Sequence, residues 1–353
     1  MKKEHDVILF LSYIIILVFG LTILYSVTWG RRFSYLFYRQ LSWDILSVGV
    51  FFLFSRIKRK FWEDNAVYLL LLSFGLLVVV LLTPPVAGAN RWLDLGIASF
   101  QPSELAKLSI VMFLAWLYTK DQTLKIGIIG FFTTIAASFL VFIEPDFGTA
   151  LMLFALWFVI TFVSAKFDRL LIASFIIIIA VSPFVLFFGL KEYQLKRILS
   201  FLNPAAYSRE AAYNTIQAMR AIGSGGFSGK GFLQGDMSRY GFVPENHTDF
   251  IFSAVGEQFG FLGSVLLIAL YTVLIWRIWK TAKNTHSEFM ALVSTGFLTI
   301  ILFHIIENIG MNLGLFPVTG IPLPFISYGG SSALFFSAQL GMIYGASEKT
   351  AKT

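Results

Sequence analysis

The sequence predicts an all-α integral membrane protein: a polytopic bundle of about ten transmembrane helices with one long extracytoplasmic loop. Three observations carry that prediction. The 353 residues are 57% hydrophobic and 13% charged, with a mean hydropathy of +0.77, whereas soluble domains hold about 25% charged and roughly 45–50% apolar residues. Apolar runs approaching the ~20 residues that cross a bilayer recur along the whole chain. Lysine and arginine then alternate between rich and poor connections, the pattern that orients membrane helices.

The runs fall near 7–28, 39–55, 65–83, 103–119, 126–143, 149–164, 170–190, 250–276, 289–311 and 331–346. The first follows MKKEHD and lacks a small-residue cleavage site, which predicts an uncleaved span and not a signal peptide. The second and third flank the basic run RIKRK at 56–60, and the fourth opens at Pro102, a residue suited to a first helical turn. The fifth, sixth and seventh are nearly fused around Glu144 and Ala165, so only tight corners separate them. The last three follow the connection 191–249, the only one far longer than ordinary loops, and loops of that length tend to be functional.

An inside N-terminus puts Lys2, Lys3, residues 56–60, Lys120, Lys125, Lys166, Arg169, Arg277, Lys280, Lys283, Lys349 and Lys352 on one side. The opposite short loops hold only Arg31, Arg32 and Arg91. Both termini are therefore expected in the cytoplasm and 191–249 outside. No internal repeat, low-complexity tract or soluble domain is visible, so 1–353 is expected to form a single transmembrane domain. The net charge of +7 reads as loop bias and not as a nucleic-acid footprint. The absence of cysteine excludes disulfides and thiolate chemistry.

Several polar clusters interrupt this apolar background. In NRWLDLGIASFQPSELAKL (90–108), Glu104 and Lys107 stand i, i+3 on one helix face, with Arg91 a second cation at the same outer level. An ion pair stabilising the start of a helix accounts for the pair. An ionisable group inside a span, however, is costly and usually faces a cavity. EPDFGTA (144–150) is a tight outer corner in which Asp146 either caps the next span or adds an acid to an outer cavity.

In the long loop, AIGSGGFSGKG (221–231) fails as a phosphate loop, because Ser224 stands where its first Gly is required and Gly231 follows Lys230 where Ser or Thr is required. A glycine-rich backbone beside Lys230 can still approach an anion closely. Lys196, Arg197, Arg209 and Arg220 are interleaved there with Tyr and Phe, a composition that headgroup attraction also explains.

GFVPENHTDFIFSAVGEQFG (241–260) sets Glu245, His247 and Asp249 at the mouth of an apolar run. Four histidines without cysteine do not suit a zinc site, and no Ser or Cys is spaced to form a triad. Asp249 is either a helix cap or a partly desolvated carboxylate of raised pKa, fit to act as a general base. In NIGMNLGLFPVTGIPLPFISYGGSS (308–332), irregular backbone at membrane level lines a cavity or is buried in protein. Ser327, Gly329 and Ser331 are candidates for a small-residue wall against a ligand.

Taken in order, the motifs NRWL…FQPSELAKL, EPDFGTAL, RILSFLNP, AIGSGGFSGKG, GFVPENHTDFIFS and GLFPVTGIPLPFISYGGSS resemble the SEDS family (shape, elongation, division and sporulation) from the first span to the last. Compact termini and Gly-Phe before Pro-Glu are similar to its elongation branch more than to its division branch. Asp236-Met237 departs from the Thr-Gln often found there. The resemblance implies a peptidoglycan glycosyltransferase that polymerises lipid II at the outer face of the cytoplasmic membrane. It also implies a class B penicillin-binding protein as partner, with other membrane proteins of the elongation complex. By the resemblance, Asp249 is the residue needed for catalysis.

An inverting transfer with Asp249 as base is expected, with Arg91, Lys107, Arg197 and Lys230 as candidates to stabilise the leaving pyrophosphate and Glu104 orienting Lys107. The remaining candidate substrate contacts are Asp146, Ser224, Glu245, His247, Ser327, Gly329 and Ser331. No cofactor is expected beyond a divalent cation such as Mg2+, and no metal ligand is assigned. The competing reading is a lipid II flippase, although no repeat of the transporter kind is visible.

Overall fold

The computed structural model describes residues 6–30, 33–84, 90–94, 96, 99–121, 123–164, 167–184, 192–208 and 212–347. Lys2, Lys3, Arg31, Arg32, Lys166, Arg209, Lys349 and Lys352, used above to orient the chain or as loop cations, lie outside the described residues. In chain order the elements are α1 (Val7–Thr28), α2 (Tyr35–Arg56), α3 (Arg59–Leu81), β1 (Leu93–Asp94), β2 (Ser99–Phe100), α4 (Pro102–Lys120), α5 (Leu124–Ile143), α6 (Phe147–Ser164), α7 (Asp168–Phe184), α8 (Glu192–Leu202), α9 (Tyr213–Gly225), α10 (Asp236–Arg239), α11 (Ile251–Asn284), α12 (Glu288–Asn312) and α13 (Gly330–Ala346).

Each expected span coincides with one of α1–α7 or α11–α13. Six of these helices, α1, α3, α5, α6, α11 and α12, are long and apolar enough to cross a membrane on length and composition alone. The described α7 and α13 hold 17 residues each, while α2 and α4 carry Gln40, Asp44, Glu104 and Lys107, all turned into the bundle. Polar side chains inside a span are tolerated in that interior position. Fifteen of the nineteen residues of α4 are buried, so this helix forms the axis of the bundle. Its neighbours are α3, α5, α6, α12 and α13, whose buried apolar side chains join those of α4 in one contiguous core. Large apolar side chains such as Leu53, Phe132, Phe162 and Phe261 point outward, as a lipid-facing surface requires.

Local chemistry sets the ends. Asp6 caps α1 by accepting from Leu9 N at 3.1 Å, and Ser287 caps α12 through Met290 N at 3.3 Å. The third span begins at Arg59, earlier than expected, because the basic run supplies the first turn of α3, where Arg59 pairs with Glu63 at 3.1 Å. The span expected at 250–276 runs on to Asn284, since Arg277, Lys280 and Lys283 lie over Trp276 and Trp279 and extend the helix with a shielded face. Along the α2–α13 seam, a Cβ at Gly341 would stand 2.3 Å from the Phe51 carbonyl oxygen. Only glycine permits that backbone approach.

The long connection holds more order than a loop. Helices α8, α9 and α10 occupy it, and its glycine-rich stretch docks into a kink of α11 at Gly260, where φ is 62°. Lys230 N and Gly231 N donate to the Glu257 and Gln258 carbonyls at 3.0 Å each, and Phe261 N donates to Gly226 O at 2.9 Å. A Cβ at Gly229 would meet the Gln258 carbonyl oxygen at 2.2 Å. The glycines expected to approach an anion thus approach the backbone of α11.

Candidate active site

The polar clusters converge at the end of the bundle where α4, α6, α11 and α13 begin. Arg91, after α3, donates from Nε to the Glu144 carbonyl at 3.0 Å and from a terminal nitrogen to the Pro145 carbonyl. The guanidinium therefore ties the β-hairpin segment to the α5–α6 corner. In that corner Asp146 caps α6, accepting from Thr149 N at 3.2 Å and Thr149 Oγ1 at 3.0 Å, while Gln101 Nε2 reaches it at 3.4 Å. Asp146 takes the capping role. Glu144 is fully buried, with no described partner for either carboxyl oxygen. Burial above all, then the charge of Asp146, raises its pKa to about 8 against the pull of Arg91, which favours the protonated carboxyl.

Asp249 sits in the turn before α11, partly buried. The helix cap is Phe250, with no side-chain hydrogen bond, so the Asp249 carboxylate is not spent on capping. Its backbone is held firmly instead: Asn308 and Asn312 of α12 donate to its carbonyl at 2.9 and 3.0 Å, and Asn312 Oδ1 accepts from Ser253 N at 3.1 Å. Asn308 also donates to the Ile321 carbonyl at 2.8 Å. The segment 317–322 thereby forms one wall of the site. Gly320, at a φ of 82°, lies so close that a Cβ there would be 3.5 Å from Asp249 Oδ2. Arg197 of α8 reaches the same wall, donating to the Val318 carbonyl at 3.1 Å. Burial, followed by Glu245, pushes the Asp249 carboxyl up to about 6, while Arg197 and Arg91 pull it down and Asp146 pushes up weakly.

Glu245 adopts a left-handed φ of 52° and closes the turn, its carbonyl accepting from Thr248 N and Phe250 N at 3.2 and 3.1 Å. His247 packs between the rings of Phe33 and Tyr328, with centroids 6.2 Å away in each case, and its Nε2 lies 4.0 Å from Glu245. Ser327 Oγ donates to the Thr248 carbonyl at 2.7 Å and accepts from Leu323 N at 2.8 Å, and Tyr328 N donates to the His247 carbonyl at 2.8 Å. Gly329 N donates to Gln40 Oε1 at 3.0 Å and Ser331 Oγ to the Ser99 carbonyl at 2.9 Å. In the structure these small residues stitch strands of the site to one another.

The other two cations are committed to carboxylates. Lys107 is 1% exposed, with Nζ 2.7 Å from Glu104 and 3.2 Å from His304 Nε2, and His304 Nδ1 lies 2.9 Å from the Pro322 carbonyl. Lys230 pairs with the fully buried Glu257 at 2.8 Å, which also accepts from Met237 N and Ser238 N at 2.9 and 2.8 Å. Ser224 bonds back to Ala221 O at 2.8 Å within α9. The structure therefore gathers Asp249, Arg91, Arg197, Asp146 and Glu245 into one field and sets Lys107–Glu104 and Lys230 in supporting pairs.

Sequence reasoning missed His304, Asn308, Asn312 and Glu257. The first three recur at intervals of four in an apolar helix, a single polar stripe that could have flagged them. Among the described residues, no group of three or more His, Asp or Glu side chains is arranged to hold a metal ion.

Fold and site together define a polytopic membrane protein with a cluster of carboxylates and guanidinium groups at one end of its bundle. Residues 5–352 match the family that unites FtsW, RodA and SpoVE, described as cell cycle protein, and the chain belongs to that family. This is the family the ordered motifs resemble. The peptidoglycan glycosyltransferase MrdB of Escherichia coli (strain K12) is 33% identical over 346 residues, 97% of this chain and 93% of the relative. A chain in a solved peptidoglycan synthase complex, described for its structural coordination of polymerization and crosslinking, superposes with a TM-score of 0.85 at 29% identity, covering 98% of each chain. The rod shape determining protein RodA of Thermus thermophilus superposes with a TM-score of 0.73 at 27% identity, covering 98% of this chain and 97% of that one.

Proposed function

We propose that this chain polymerises lipid II into glycan strands, with Asp249 as the general base. The chain is a peptidoglycan glycosyltransferase of the rod-shape branch, a reading supported by the named activity of MrdB and by the likeness to RodA. One observation carries the residue assignment. Asp249 is the one site carboxylate held by its backbone, free of capping, raised to about 6 and faced by two guanidinium groups.

The chemistry follows from that geometry. The ionised Asp249 carboxylate accepts the proton of the acceptor GlcNAc 4-hydroxyl as that oxygen attacks the donor MurNAc anomeric carbon with inversion. The bond from that carbon to the pyrophosphate oxygen breaks, and its electron pair leaves with the lipid pyrophosphate. Arg197 and Arg91, the two cations acting on Asp249, stand where that negative charge grows, and fixed charges aimed at a developing anion are a large source of rate. Lys107 is a positioning residue in this scheme: its pair with Glu104 and contact to His304 hold α4 and α12 together behind the wall 317–322. Among the described residues no carboxylate cluster is arranged to hold a divalent ion. Mg2+, if required, would ride on the substrate phosphates, as that ion usually does.

The chain is an integral membrane protein. The lysine and arginine bias supports cytoplasmic termini and an outer site, so that the polyprenyl tail stays in the bilayer while the sugar head reaches Asp249. Residues 1–353 then act as one domain. The synthase complex with its crosslinking activity supports a class B penicillin-binding protein as partner, alongside elongation-complex membrane proteins. The test is purified protein with lipid II, with and without that partner, scored for glycan polymer by gel. A lipid II flippase without polymerase activity would leave the substrate unextended in every lane.

A further inference from the structure

The end of the bundle opposite Asp249 holds a second built feature. Helix α13 begins beside the site, where Gly329 N meets Gln40, and its last turn, Tyr344–Ala346, lines a cavity of about 540 Å3 between α2, α3 and α12. Along α13 that is about 25 Å away, at the 1.5 Å rise of a helix. The volume lies within the usual range of ligand sites.

The lining is divided by chemistry. Arg56 ends α2, Lys58 is the residue before α3 and Arg59 opens it, and none of the residues lining the cavity is acidic. The first turn of α3 carries neither a side-chain cap nor an acidic residue, so its N–H groups add to the positive field. The nearest carboxylate on that helix, Glu63, takes up part of the Arg59 charge at 3.1 Å. The remaining wall is mostly apolar, with Trp62, Met290 and Met342 beside Ser55 and Tyr344, and Trp62 is fixed by stacking on Phe54 with centroids 5.3 Å apart. Past Phe52 the cavity edge meets the outward face of α2 and α3, where Leu53 and Phe61 are 59% and 50% exposed.

We propose that this cavity binds the phosphate headgroup of an anionic phospholipid, whose acyl chains run down the outward face between α2 and α3. A free soluble anion would be served by the cations alone. The apolar wall and its continuity with the lipid-facing surface fit a ligand that is charged at one end and apolar at the other. Basic pockets between transmembrane helices take anionic headgroups by this combination. The three cations also cluster in the short turn between α2 and α3, as contact with one headgroup requires. This site is independent of the glycosyltransferase centre.

The test is native mass spectrometry of the delipidated full-length protein, titrated with phosphatidylglycerol, phosphatidylcholine or soluble glycerol phosphate. One phosphatidylglycerol should be retained in preference to phosphatidylcholine, and glycerol phosphate should neither bind nor compete at equal concentration. The triple variant Arg56→Gln, Lys58→Gln, Arg59→Gln should weaken phosphatidylglycerol retention by about a hundredfold, each surface cation being worth several-fold. Lys280→Gln with Lys283→Gln removes two cations that stack on Trp276 and Trp279 outside the cavity, and should leave retention unchanged. If the triple variant does not fold, the single Lys58→Glu carries the same expectation of loss. Equal retention of the two lipids, wild-type retention in the cavity variants, equal loss in the control pair, or displacement by glycerol phosphate would each overturn the proposal.

Discussion

Replacing Asn308 by Ala tests how the site is held without touching the reacting group. Asn308 is fully buried and donates to two backbone carbonyls, Asp249 at 2.9 Å and Ile321 at 2.8 Å. After the substitution the Asp249 carbonyl keeps the Asn312 amide at 3.0 Å, whereas the Ile321 carbonyl loses its described side-chain donor. A buried acceptor left without a partner costs about 1–3 kcal/mol. If that penalty is relieved by the wall 317–322 moving away from Asp249, the carboxylate loses the burial that raises it. Polymerisation from lipid II should then fall roughly 10- to 100-fold, at 1.4 kcal/mol per tenfold. The acidic limb of the pH–rate profile should move below pH 6 toward the ordinary carboxylate range. The assay is the initial rate of glycan formation between pH 4.5 and 8, with thermal unfolding measured alongside. A variant that unfolds earlier yet keeps both the wild-type rate and the wild-type limb would refute the positioning argument and leave Asn308 a fold residue only.

Four further outcomes follow from the same structure. The wild-type rate should rise with pH through about 6 as Asp249 loses its proton; a profile flat from pH 5 to 8 would contradict a base with that environment. The raised pKa means the folded state binds this proton more tightly than the unfolded state. Asp249 therefore costs stability progressively as pH climbs from about 4 through 6, and Asp249→Asn should unfold at a higher temperature than wild type at pH 7.5 but not at pH 3.5. Lys230→Ala leaves the Glu257 carboxylate buried without its cation. Such a loss costs about 3–5 kcal/mol, and adding Glu257→Gln should restore part of the unfolding temperature, which a double-mutant cycle would read. Gln234 is exposed in the long connection, and the chain has no cysteine, so Gln234→Cys gives a single reporter. It should react with an impermeant maleimide from outside intact cells, and labelling only from the cytoplasmic side would invert the topology.

The spans were legible because lipid imposes a one-dimensional rule, about twenty apolar residues per crossing, and α1, α5 and α6 obey it almost to the residue. The start of α3 and the end of α11 were misplaced because charged residues can belong to a helix once a partner or a tryptophan covers them, as with Arg59–Glu63 and Lys280 over Trp276. Asp249 was visible as a carboxylate at the mouth of an apolar run. Its support was not, since Asn308 and Asn312 lie some sixty residues away and act on its backbone through pairings no local pattern encodes. The glycine-rich stretch pointed to close approach, and close approach is what occurs, toward the backbone of α11. The Lys107–Glu104 pair was legible from its i, i+3 spacing, whereas the contact of Lys107 to His304 and the pairing of Lys230 with Glu257 were not, because those partners come from other elements.

The central claim is that Asp249 takes the proton from the attacking hydroxyl. Asparagine matches its volume and leaves the backbone bonds from Asn308 and Asn312 intact, so Asp249→Asn should fold and pair with its penicillin-binding protein as wild type does. It cannot accept the proton, and loss of a general base lowers rates by about 10²–10⁴-fold. The measurement is polymer formed from lipid II by Asp249→Asn in complex with that partner. The account predicts almost none, from a complex that is intact. Wild-type amounts of polymer would contradict it and remove Asp249 from the chemistry.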